Sequence, residues 1–72
     1  MRLVLEKAYR DKNLLEMIYM AKDGQITQRR IEVIQVGERT FRAYCYLRQS
    51  KRTFRIEDVL ALVPVHHKYQ AM

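Results

Sequence analysis

The sequence predicts a mainly β domain with one N-terminal α-helix, in which about five strands form a small, strongly bent sheet or barrel and the helix packs across one side. Three observations carry this. Apolar residues recur at helical spacing only near the start of the chain. β-compatible runs then follow one another with short connections, and Asp23-Gly24 and Gly37-Glu38 punctuate them as turns.

Residues 2 to 12 fit a helix: Met1, Val4, Leu5, Ala8 and Tyr9 form one stripe, opposite Arg2, Glu6, Lys7, Arg10 and Asp11. The i,i+4 pairs Glu6/Arg10 and Lys7/Asp11 add about 0.2 to 0.5 kcal/mol each. A helix of three turns does not hold by itself, so its stripe must lie on something. Asn13, which tolerates the left-handed conformation, is the expected stop. Leu14 to Met20 reads as the first strand, Ala21 to Gly24 as its turn, and Gln25 to about Val36 as a second strand long enough to bend or bulge midway. Its alternation places Ile31 and Val33 with Arg29, and Arg30, Glu32 and Ile34 on the other side; the mixed pattern leaves open which side is the core. After Ile56, Glu57 and Asp58 open a single helical turn, and Val59 to Val65 make a last strand that Pro64 confines to an edge.

Between these lies Arg39 to Arg55, RTFRAYCYLRQSKRTFR, with six cations, no acid, and Phe41, Tyr44, Tyr46 and Phe54 between them. Those six equal the net charge of the whole chain, +6, so the excess is local. A strand over 41 to 48 directs Phe41, Ala43, Cys45 and Leu47 inward and Arg42, Tyr44, Tyr46 and Arg48 outward. Gln49 to Lys51 reads as the turn, and Phe54 and Ile56 then return inward with Arg55 outward. The expected product is a hairpin with a cationic, ring-bearing outer face, suited to neutralising phosphates and stacking bases.

Seventy-two residues make one domain, expected over 1–65 with 66–72 as a tail. A core of this size barely offsets an ordering cost of about 1.5 kcal/mol per residue, so self-association or a covering partner would help. No run reaches the roughly 18 apolar residues of a membrane helix. One cysteine makes no internal disulfide and the N-terminus lacks a secretory pattern, which together imply a reducing, cytoplasmic setting. No phosphate-binding glycine loop, metal-ligand spacing or activated nucleophile is evident, so neither cofactor nor catalysis is expected. Cys45 reads as a buried thiol, and His66 and His67, adjacent in the tail, as poor ligands for one metal.

LEKAYRDKNLLEMIY, DGQITQRR and AYCYLRQSKRTFRIEDV resemble the WYL domain, a bacterial module named for a Trp-Tyr-Leu tripeptide. The resemblance runs from about Leu5 to Val63 and matches Ala8, Tyr19, Gly24, Arg29, Tyr44, Cys45, Arg52, Phe54 and Arg55. The tripeptide itself falls on Arg39, Thr40 and Phe41; Val33 stands where the family usually has Pro, and Asp58 where it usually has Arg. The resemblance implies an Sm-like, SH3-type barrel and a role in bacterial transcription regulation, where such domains commonly sit behind helix-turn-helix domains and sense ligands, nucleic-acid fragments among them, through a basic pocket; this one is expected to stand alone, or to be the sensing half of something separated from its reader. With one helix ahead of the sheet, the chain lacks the two packed helices of a helix-turn-helix.

The expected function is therefore a non-enzymatic, regulatory module that binds single-stranded nucleic acid or a nucleotide-like anion. Arg42, Tyr44, Arg48 and Arg55 are its candidate residues from the strand pattern, and the resemblance adds Arg29 and Arg52. Two other readings stand beside it. The domain is instead a protein-interaction or self-assembly module, as homo-oligomer or with a partner protein, whose basic face is merely solvated; or it keeps the family pocket as a small-molecule sensor. Tyr44 and Tyr46 equally suit a floor under Leu5 and Tyr9.

Overall fold

The computed structural model describes residues 1–65; the expected tail, with His66 and His67, lies outside the described residues. The elements are α1 (Arg2–Asp11), β1 (Leu14–Met20), β2 (Ile26–Val36), β3 (Thr40–Cys45), β4 (Ser50–Arg55), a 3-10 turn (Ile56–Asp58) and β5 (Val59–Pro64). The strands form one antiparallel sheet in the order β4-β3-β2-β1-β5, bent like a small barrel around its inner face. No helix among the described residues is long and apolar enough to cross a membrane.

Helix α1 lies on that inner face. Leu5 and Ala8 are buried against Leu15, Ile31 and Val33, with Val4 partly buried beside them, while Met1 and Tyr9, at the margins of the expected stripe, stay about half exposed. Burying a leucine such as Leu5 contributes roughly 1.5 to 3 kcal/mol. Arg2 ties the helix start to the β2–β3 turn, donating to Gly37 O at 2.7 Å, and pairs with Glu6 at 3.0 Å. The left-handed residue at the helix end is Lys12 (φ 56°, ψ 39°), not Asn13. The helical ladder closes on Ala8 O at Lys12, and the chain must reverse there for Leu14 to start its pairing opposite Glu32.

Two bulges set which side chains reach the core. In β2, Val33 lies opposite Ala43 but Gln35 opposite Arg42, so Ile34 is an extra residue and the alternation reverses across it. Ile31 and Val33 before the bulge and Val36 after it therefore all face inward, which resolves the mixed pattern of IEVIQV. In β5, Tyr19 lies opposite Val59 and Ile18 opposite Ala61, so Leu60 is the extra residue and both Val59 and Leu62 reach the core.

The β3–β4 hairpin departs from the expected one. β3 ends at Cys45, residues 46–49 form the turn with Gln49 left-handed at φ 55°, and Ser50 and Lys51 already belong to β4. Leu47, expected inward, is 56% exposed. The cause is register: Phe41 packs opposite Phe54 in the core, and that pairing brings Cys45 opposite Ser50 and leaves only four residues to turn.

Candidate anion-binding site

The bend of the sheet brings β1 against β4 on the inside. The Tyr19 and Phe54 rings meet edge to face with centroids 5.1 Å apart, and Phe41 lies 5.5 Å from Phe54 on its other flank. The Tyr19 hydroxyl accepts the backbone N–H of Arg55 at 3.0 Å. Arg29 joins this cluster from β2, two residues before the buried Ile31 and on the same face. Its Nε donates to Thr27 Oγ1 at 3.0 Å, Nη1 reaches Cys45 Sγ at 3.5 Å, and its guanidinium carbon sits 5.6 Å from the centre of the Phe54 ring. A cation held over a ring gains about 0.5 to 1 kcal/mol at exposed sites, more when desolvated. Arg52, opposite Ala43 in register, shares the inner face with Phe54 and is exposed. No carboxylate pairs with Arg29 or Arg52 among the described residues.

Cys45 lies behind Arg29 and is fully buried. Burial pushes its thiol up, but the backbone at Arg48, the Arg29 guanidinium and the backbone at Leu47 together outweigh this and hold it below the ordinary thiol value. The same positive environment suits an anion at this end of the inner face.

The outer face carries a second group. Arg42, Tyr44, Lys51 and Arg55 face outward on β3 and β4, with Tyr44 opposite Lys51 and Arg42 opposite Thr53. Tyr44 and Tyr46 meet edge to face at 4.8 Å, so neither forms a floor under the helix, and the Tyr46 hydroxyl donates to Glu32 Oε1 at 3.3 Å. Lost solvation and the neighbouring Glu32 carboxylate raise the Tyr46 phenol above its usual value. Tyr44, Tyr46, Lys51 and Glu32 line an open cleft with Ile34. Acids intrude on this side: Glu32 here, and Glu16, which pairs with Arg30 at 3.5 Å.

The six expected site residues thus do not share one face. Arg42 and Tyr44 lie outside, Arg29 and Arg52 inside, and Arg48 in the exposed 46–49 turn. Arg55 faces outward as expected but is paired with Glu57 and, at 3.7 Å, with Asp58. The open cleft beside it is lined by Glu38, Arg39, Thr40, Ile56 and Glu57 and mixes both signs of charge. Strand alternation alone missed Phe54 as the ring under Arg29 and Tyr19 as the neighbour of that ring; the positions matched to the WYL domain contain all three. Lys51, expected in a turn, joins the outer group because β4 begins one residue before it.

No protein family and no curated protein matches the chain. Among solved structures, the proteasome accessory factor B/C (PafBC) of Arthrobacter aurescens is similar, with a TM-score of 0.83 and 23% sequence identity. The alignment covers 90% of this chain and 11% of that one, so the chain corresponds to a small part of that protein. At this identity the likeness concerns the fold, and it supports a WYL-like fold for the chain.

Proposed function

We propose that the chain is a non-enzymatic regulatory module that binds single-stranded nucleic acid or a nucleotide-like anion at the β3–β4 end of its sheet. The observation that carries this reading is Arg29, a guanidinium fixed by Thr27, Cys45 and the Phe54 ring with no carboxylate to neutralise it among the described residues. Arg52 adds a second cation on the same face. Guanidinium groups take phosphate oxygens in pairs; the buried Phe54 ring holds the Arg29 guanidinium in place, and the rings open to a base are those of the outer pair Tyr44 and Tyr46, where a stack is worth about 1 to 3 kcal/mol. Arg42, Arg48 and Lys51, also without acidic ion-pair partners among the described residues, extend the positive surface around the exposed β4 edge, with Tyr44 between them. The fold shared with part of PafBC supports a regulatory setting.

The test is fluorescence anisotropy with labelled single-stranded oligonucleotides and with mononucleotides at two ionic strengths. Binding that weakens steeply with salt, and that Arg52→Ala weakens further, is the expected result. No binding at low salt removes the proposal. Binding that survives Arg52→Ala and Arg29→Lys but fails in Arg42→Ala/Tyr44→Ala moves the site to the outer face.

A further inference from the structure

The two edges of the sheet differ in kind. At one end β4, SKRTFR, carries exposed Lys51, Arg52 and Arg55, and the N–H of Arg55 is capped by the Tyr19 hydroxyl. Cations along an edge and a capped donor both discourage another strand from adding there. At the other end β5, VLALVP, has no charged residue, and it pairs only with β1 among the described residues. Its outward backbone groups form an open ladder, interrupted by the bulge at Leu60 and shortened at Pro64, which has no N–H to offer.

The surface beside that edge matches it. Leu60 is 48% and Val63 55% exposed, and on the outer face the apolar strip continues through Ile18 and Met20 of β1 to Ile26 of β2. The free cations of β3 and β4 lie at the opposite end of the strand order. On a molecule of net charge +6, β5 is therefore the edge whose own strand brings no cation to a second copy, and Lys7, beside Pro64 at its end, is paired with Asp11.

From this asymmetry we infer that β5 is a homodimerisation strand. Two copies pair β5 to β5, antiparallel about a two-fold axis, into one continuous ten-stranded sheet with the basic ends at its far poles. The two-fold makes the contact self-complementary, so it closes at two copies. The alternation restricts the register. Ala61 and Val63 face outward and Leu62 inward, so a pairing centred on Leu62 sets Ala61 of one copy opposite Val63 of the other and keeps every side chain on its own face. The bulge at Leu60 places a further apolar side chain at the seam. The contact leaves Arg29, Arg52 and the outer group open, so it stands or falls independently of anion binding.

Sedimentation velocity over a dilution series, from micromolar to sub-millimolar chain, tests the inference. The expected result is a monomer–dimer equilibrium between 8.7 kDa and twice that mass. Val63→Lys and Leu60→Lys place a cation on each side of the seam at already exposed positions, and each is expected to weaken the dimer at least tenfold, about 1.4 kcal/mol, with an unchanged far-ultraviolet circular dichroism spectrum. Thr53→Lys, on the outer face of β4, leaves the dimer constant unchanged. A monomer at every concentration overturns the inference, as does an assembly larger than two, or a dimer insensitive to both lysines.

Discussion

The backbone N–H of Arg55 and the hydroxyl of Tyr19 meet at 3.0 Å although their strands stand three places apart in the sheet. This bond and the Tyr19–Phe54 contact close the inside of the barrel where no strand-to-strand ladder does. Tyr19→Phe keeps the ring contact and removes the acceptor. Its expected cost is about 0.5 to 1.5 kcal/mol in urea denaturation, toward the low end because Arg55 is exposed and its N–H can turn to water. Phe54→Ala removes the ring at the centre of the cluster and is expected to cost about 3 to 5 kcal/mol.

Arg29 touches Cys45 Sγ, so the thiol reports on the guanidinium. Arg29→Ala is expected to move the thiol pKa upward, read from thiolate absorbance during an alkaline titration. Because the folded pKa is depressed, its stabilising contribution is present above the ordinary thiol value near 9.0 and lost as pH falls through the lowered one. The wild-type chain therefore gains stability relative to Cys45→Ala between neutral and alkaline pH, and denaturation at the two pH values measures the difference.

At the other end of the pH scale, Asp11 accepts a hydrogen bond from Lys7 at 2.9 Å, and this contact, aided by the charges of Lys7 and Arg10, holds its carboxyl below the usual value near 3.8. The contribution is complete above that value and disappears as pH falls through the lowered one. Asp11→Asn should abolish this part of the acid dependence of α1, followed by circular dichroism, while leaving the neutral-pH fold intact.

Two backbone positions predict opposite signs. Lys12 pays for a left-handed conformation that glycine adopts freely, so Lys12→Gly is expected to raise stability by up to about 1 kcal/mol. Gly24, at φ 87°, has open space around a would-be Cβ, so only backbone conformation opposes a side chain there. Gly24→Ala is expected to lower stability by about 1 kcal/mol. Thermal denaturation of the two variants side by side checks both signs.

Salt dependence separates the two cationic groups. On a single strand each phosphate contact contributes about 0.7 to the slope of log affinity against log salt. Arg52→Ala should lower that slope by about this amount, whereas Arg55→Ala, whose guanidinium is held by Glu57 and Asp58, should change it little. Equal losses from the two variants would mean that the ion pairs open on binding.

Much of the architecture was legible from residue order. The apolar stripe of α1, the Asp23-Gly24 turn, the limits of β1 and the edge position of Pro64 all follow from local chemistry, which acts within a few residues. The mid-strand irregularity of β2 was legible too, since eleven residues are long for a bent sheet. Its location at Ile34 was not, because the core chose among the four apolar residues of IEVIQV by which of them could pack beside Ala43 and Phe41.

By itself the sequence determined the kind and order of the elements and the crowding of positive charge into β3 and β4, because composition and periodicity are carried by neighbours along the chain. Tertiary structure decided which cations stand together. Packing Phe41 opposite Phe54 moved the turn to 46–49, and the bend of the sheet then carried Arg29 from another strand onto the Phe54 ring. Side-chain alternation assigns faces within one strand, but only the pairing of distant strands in a shared core settles which faces meet.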